Sequence, residues 1–171
     1  KRQVLAAVDL HHPNIVAVNG FEIEGPVKFL GMEYLDGPNL AVELAERQRL
    51  SVSELLDIAS QVCPALDHAH GWGVIHRAVK PANLIYGTEG GERVVKVADF
   101  GIARAARRTS KTMAGGLKGK MGYLSPEQVA DLPLDGRSDI FTAGITLWEM
   151  LTCRRLYSGK TELDVLLKIR D

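Results

Sequence analysis

The sequence predicts an α+β fold, mostly helical with short β-hairpins, and three observations carry that expectation. Two long stretches, from Ser51 to His70 and from Asp139 to Leu151, keep apolar residues at helical spacing. Two pairs of short runs rich in strand formers are separated by glycine-containing turns. At 171 residues and 46% hydrophobic composition, the chain is long and apolar enough to bury one core.

The elements follow in order. Ile15 to Phe21 holds strand-forming residues, and after the turn at Gly25-Pro26 the run Val27 to Tyr34 repeats the signal, so the two read as antiparallel neighbours. Asp36-Gly37-Pro38-Asn39 breaks the pattern, and Leu40 to Gln48 reads as a short amphipathic helix. Ser51 with Glu54 three residues on is a capping box, which pairs two backbone donors at the start of a long helix. Leu55, Leu56, Ala59, Val62, Cys63, Leu66 and Ala69 sustain that helix to Gly71-Trp72-Gly73, with Pro64 predicted to bend it.

Leu84-Ile85-Tyr86 and Arg93 to Ala98 form a second hairpin across the turn Gly87 to Gly91. From Asp99 to about Glu127 periodicity disappears, and a loop of that length inside a compact domain is usually functional or mobile. The helix from Asp139 to Leu151 is apolar around its whole circumference, which predicts burial on all sides. A final amphipathic helix runs from Thr161 to Arg170.

Lys+Arg and Asp+Glu balance at 21 each, which removes any global argument for nucleic acid or an anionic membrane as partner. Cys63 and Cys153 lack metal-type spacing and fall in apolar helical patterns, so they read as buried thiols in a reducing compartment. No apolar run reaches membrane-spanning length and no secretory leader is seen, so the segment is expected to be cytoplasmic. The start at Lys1-Arg2-Gln3 and the end on a helical pattern suggest an excerpt of a longer protein.

Three elements carry chemistry: the basic octapeptide HRAVKPAN (76–83), the triplet Asp99-Phe100-Gly101 after a strand, and Ser125-Pro126-Glu127 closing the long loop. Together they resemble the catalytic loop H-R-D-x-x-x-x-N, the D-F-G segment and the A-P-E segment of the protein kinases, specifically the bacterial serine/threonine kinases of eukaryotic type. His12-Pro13-Asn14-Ile15-Val16, Met32-Glu33-Tyr34 and Arg137-Ser138-Asp139-Ile140 extend the resemblance over nearly the whole chain. It implies a protein kinase-like fold truncated at its N-terminal lobe. Residues 1–35 would be the end of that lobe and the hinge, and 36–171 the C-terminal lobe, with catalytic loop 76–83 and activation segment 99–127.

The resemblance also implies roles. Asp99 and Asn83 would offer hard oxygens to magnesium, and Lys80 would place an ammonium near the transferred phosphate of ATP. Glu33 to Leu35 would hydrogen-bond adenine through their backbone, with Met32 as gatekeeper and Ile85 beneath the ring. Asp139 would accept hydrogen bonds from the catalytic-loop backbone. Arg77 would receive a phosphorylated activation loop, for which Thr109, Ser110 and Thr112 are candidates among Arg107, Arg108 and Lys111. The stretch Gly115 to Lys120 is not a phosphate loop, because Ala114 and Met121 occupy positions that need Gly and Ser or Thr. His68 and His70, two apart on a helix, face different ways and do not form a metal pair.

Two of the family's groups are altered. Ala78 stands where the family has the aspartate that takes the acceptor's proton, and Lys120 stands where it has a threonine touching that aspartate and the loop lysine. The glycine-rich loop and nucleotide-binding lysine would lie upstream, with Gln3 near the place of the partner glutamate. Three readings follow: a pseudokinase that binds nucleotide or a signalling partner, a weakly active kinase acting on a protein substrate, or a fragment without function of its own.

Overall fold

A computed structural model describes residues 9–25, 27–100 and 121–171. In chain order the elements are β1 (Val18–Glu24), β2 (Val27–Met32), α1 (Leu40–Arg47), α2 (Val52–Gly71), a 3-10 turn at Pro81–Asn83, β3 (Leu84–Glu89), β4 (Glu92–Val97), a second 3-10 turn at Met121–Tyr123, α3 (Pro126–Val129), α4 (Gly136–Thr152) and α5 (Glu162–Arg170). β1 pairs antiparallel with β2, and β3 with β4, giving two separate two-stranded sheets among the described residues. The α+β expectation holds.

Local signals fix the element ends. Ser51 Oγ accepts from the N–H of Glu54, and Glu54 accepts in return from the N–H of Ser51, closing the anticipated capping box of α2. Those bonds from Ser51, followed by the one from Arg47, hold the Glu54 carboxyl down at about 2. The second hairpin turns more tightly than its glycine content implied. β3 runs through Gly87 and Thr88, and only Gly90 and Gly91, at φ 60° and 85°, make the two-residue turn. Two consecutive positive φ values match the twist of the flanking strands, and glycine supplies them without a Cβ clash.

The core joins α2, α4 and the β3–β4 hairpin through Ile58, Leu66, Leu84, Val97 and Met150. The segment before β1 is sewn onto this core. Asn14 Nδ2 donates to Gln61 Oε1 at 3.0 Å and to Val95 O at 2.9 Å, while the N–H of Val95 donates to the same Gln61 oxygen at 2.8 Å. His12 accepts the N–H of Asn14 at Nδ1, and its pKa is lowered by burial and then by His68, whose ring lies 5.3 Å away.

Two expectations are corrected. α4 is not buried all round: Ile140 is 58% and Trp148 47% exposed, whereas the buried stripe carries Ser138, Asp139, Thr142 and Thr146 beside Ile145 and Met150. Two of its inward polar residues, Asp139 and Thr146, bond to loop backbone, as shown below. Cys63 and Cys153 are exposed free thiols rather than buried ones. Cys63 falls on the outward arc of α2, and Cys153 caps α4 in a left-handed conformation just beyond its last turn. Ser125-Pro126-Glu127 opens α3, where Ser125 forms a capping box with Gln128.

Ser51→Ala should cost about 1 kcal/mol, the usual loss for an N-cap, read as a lowered urea midpoint. Because the carboxyl of Glu54 is depressed in the folded state, its contribution is complete above its ordinary value of 4.5 and lost as pH falls towards about 2. The gap in urea midpoint between the unsubstituted chain and Glu54→Gln should therefore be constant above pH 5 and shrink steadily below it.

Candidate functional site

The loop from His76 to Asn83 is held almost entirely through its backbone. Asp139, 0% exposed at the start of α4, accepts the N–H of His76 at Oδ2 (2.8 Å) and the N–H of Arg77 at Oδ1 (2.7 Å). His70 Nε2, from the last turn of α2, reaches the same Oδ2 at 2.8 Å. Arg77 adopts φ 70°, in the left-handed region that costs a non-glycine residue free energy, and its peptide is gripped from both sides to keep it there. Asp139 takes the N–H, and Gln128 Nε2 donates to the carbonyl at 2.9 Å.

The rest of the loop is fixed in the same way. The N–H of Ala78 donates to His76 Nδ1 at 3.2 Å, and the carbonyl of Ala78 accepts from Asn83 Nδ2 at 3.0 Å. Thr146 Oγ1 donates to the carbonyl of Val79 at 3.0 Å, and the N–H of Asn83 to that of Lys80 at 2.9 Å. His76 Nε2 donates to the carbonyl of Ala98 at 2.8 Å, which makes Nδ1 the acceptor, and Phe100 packs edge-on against its ring at 4.7 Å.

Ala78 is 3% exposed and takes part in this network only through its N–H and C=O. A methyl side chain therefore leaves the loop's scaffold whole while supplying no base.

Two oxygen donors lie at the ends of the β3–β4 hairpin. Asn83, 7% exposed, commits its Nδ2 to Ala78, so the amide branch left for a cation is Oδ1. Asp99 follows β4 with an exposed carboxylate on a backbone at φ 67°. The N–H of Ala98 donates to the carbonyl of Asn83 at 2.9 Å, bringing the two donors' backbones together. An amide oxygen and a carboxylate oxygen are hard donors of the kind magnesium takes, so the set fits that ion. Lys80 is half-buried at the entry to the 3-10 turn that ends at Asn83.

The segment from Glu33 to Asn39 lies along β3. The N–H of Tyr86 donates to the carbonyl of Pro38 at 3.0 Å, and Asn39 bridges Ile85. Gly37 passes so close that a Cβ there would stand 2.6 Å from Tyr86 O, and a Cβ at Gly87 would stand 3.1 Å from Leu35. Met32 ends β2 with its side chain 42% exposed, and Ile85 is half-buried on β3. A cavity of about 250 Å³ is lined by Glu33, Tyr34, Leu35, Asp36, Thr88, Glu89 and Lys96. It flanks this segment without reaching Asn83 or Asp99.

Thr109, Ser110, Thr112, Lys120 and Gln3 lie outside the described residues. Sequence reasoning did not single out His70, Gln128, Thr146 or Lys96 as contributors, because each acts on a partner more than 50 residues away.

The family described as "Protein kinase domain" matches residues 2–171. The chain is 35% identical over 168 residues, 98% of its length, to a probable serine/threonine-protein kinase of Clostridium acetobutylicum. It is equally similar, over the same share, to the serine/threonine-protein kinase PrkC of Bacillus subtilis, and 38% identical over 96% of its length to PknB of Mycobacterium leprae. It spans about a quarter of the length of these relatives, at 25%, 26% and 27%.

Asp139→Ala should cost about 3 kcal/mol or more, because it strands two buried N–H donors and one imidazole. Asp139→Asn, which keeps one acceptor oxygen, should lose less. Urea denaturation of the two variants measures the difference.

Proposed function

This chain belongs to the protein kinase family, and from that premise we propose that it is part of a nucleotide-binding pseudokinase that signals through conformation, with phosphoryl transfer impaired. The observation that supports this reading is the ordered loop around Ala78: its methyl group falls where the resemblance expects the base, while its N–H and C=O keep their bonds to His76 and Asn83. In this reading residues 1–35 end the N-terminal lobe and hinge, and 36–171 form the C-terminal lobe.

ATP would lie between the 33–35 segment and the loop. Glu33 donates its N–H to the carbonyl of Ala17 at 2.9 Å, and its carboxylate is engaged by Ala17 and Lys96, so the group it retains for adenine is its peptide carbonyl. Leu35 would offer its backbone to the same base, Met32 would flank it and Ile85 would pack beneath it. Asn83 Oδ1 and the Asp99 carboxylate would hold magnesium, which when bound neutralises phosphate charge and orients the triphosphate. Lys80 would add an ammonium on the phosphate side. Arg77, gripped at its peptide, would project its guanidinium as a receiver for a phosphate at Thr109, Ser110 or Thr112. The partner is a protein, bound as substrate or as signalling target.

Positioning and charge neutralisation dominate phosphoryl transfer, while a positioned base contributes about 10²- to 10⁴-fold in rate. That is about 3 to 5 kcal/mol of barrier. Loss of the base with retention of the metal ligands therefore predicts binding without efficient turnover.

With the full-length protein, ATP and magnesium at about 100 times Kd should stabilise the fold by about 2.7 kcal/mol, and Asp99→Ala should abolish the thermal shift. Transfer of radiolabelled phosphate to protein should be weak or absent, and Ala78→Asp should raise it by about 10²- to 10⁴-fold. Efficient transfer by the unsubstituted protein, lost in Asp99→Ala, would show an active kinase instead.

A further inference from the structure

We propose that the Glu33–Lys96 ion pair is a latch coupling the two ends of the nucleotide site, which makes Lys96 a positioning residue for nucleotide. The inference rests on the nucleotide-binding reading above. Lys96 Nζ lies 3.1 Å from Oε1 and 3.0 Å from Oε2 of Glu33, so one ammonium bridges both carboxylate oxygens. Oε1 also accepts the N–H of Ala17 at 2.8 Å. The side chains of Lys96 and Glu33 are 12% and 26% exposed, so salt screens this pair less than it screens an ordinary surface bridge.

The placement of the two residues gives the pair its meaning. Glu33 directly follows β2, in the segment whose peptide groups would face the base. Lys96 is on β4, which continues through Val97 and Ala98 into Asp99, the proposed metal ligand. The strand carrying Lys96 is held to the segment before β1 by two further bonds, Val16 N–H to Val97 O at 3.0 Å and Val97 N–H to Asn14 O at 2.8 Å. Ala17, bonded twice to Glu33, extends that same segment. The Glu33 carboxylate thus closes a ring of contacts that runs from the base end to the metal end.

A ligand with two anchoring parts gains when its subsites stay at a fixed separation, because the second contact then forms at high effective concentration. If the latch opens, each subsite keeps its own groups but their spacing is no longer held. Ligands that occupy one end should be indifferent to the pair, and a ligand that spans both should not.

The test is calorimetric titration of the full-length protein with adenosine, with magnesium tripolyphosphate and with magnesium ATP. Lys96→Met should weaken magnesium ATP about tenfold, within the usual range of coupling between sites, while adenosine and magnesium tripolyphosphate change by less than about twofold. Lys96→Arg, which keeps the charge, should retain most of the affinity. A merely structural lysine would not produce that split. Unchanged magnesium ATP affinity in Lys96→Met, or parallel losses for all three probes, would overturn the latch. If Lys96→Met does not fold, Lys96→Gln, which removes the charge but keeps a polar side chain on the same strand, decides by the same comparison. Absence of binding by the unsubstituted protein would overturn the nucleotide-binding reading and the latch with it, an outcome visible before any substitution is made.

Discussion

The carboxylate of Asp139 is the constraint on which the rest of the site depends. It is fully buried, and an ionised group in such a place is tolerated only when its lone pairs are used. Here they accept from His70 and from two successive peptide N–H groups, those of His76 and Arg77. α2, α4 and the loop between α2 and β3 therefore meet at one side chain. An apolar residue at this position could pack the helices, but it could not hold Arg77 in its left-handed conformation. On the same inward stripe of α4, Thr146 continues this anchoring to the carbonyl of Val79.

That arrangement separates two properties that a catalytic loop normally combines. Its shape is set by backbone groups bound to Asp139, Gln128, Thr146, Asn83 and His76, whereas its proton chemistry would depend on the side chain at position 78. Ala78 removes the second without touching the first. Had the loop been anchored through that side chain, a methyl group would have loosened Asn83 as well, since Asn83 Nδ2 bonds the carbonyl of residue 78. In the proposed reading ligand placement and proton transfer are therefore separable, and only the groups for the former are retained.

Much of the fold was legible in the sequence because its signals are local. The Ser51–Glu54 box and the helical spacing of α2 each act within a few residues and appear where they were read or within one residue of it, while the turn read over Gly87 to Gly91 narrows to Gly90 and Gly91. Burial was less legible, because periodicity reports which residues are apolar and not which face meets a partner. α4 is the clearest case: its apolar count predicted a helix covered on all sides, yet Ile140 and Trp148 face outward while serine and threonines face in. The residues that hold the site were the least visible. His70, Gln128, Thr146 and Lys96 are ordinary helix or strand residues in their own neighbourhoods, and their roles exist only across long chain separations. Asp139 was found through the resemblance, since nothing in its flanking residues marks it as an acceptor for a distant loop.

The hairpin β3–β4 explains how donors so far apart in sequence come together. Its register pairs Leu84 with Val97 and Ile85 with Lys96, so the residues just outside it, Asn83 and Ala98, are also brought face to face and bond directly. A two-residue turn at the far end allows no slack in that register. Alternation along β4 then sends Val95 and Val97 into the core and leaves Lys96 on the opposite face, towards Glu33. A slip of one residue would reverse these faces, burying the ammonium and withdrawing it from the carboxylate. One strand register therefore sets the meeting of Asn83 with the approach to Asp99, the packing of the hairpin and the contact between Lys96 and Glu33. The tight glycine turn, remote from any reacting group, is in this sense part of the site.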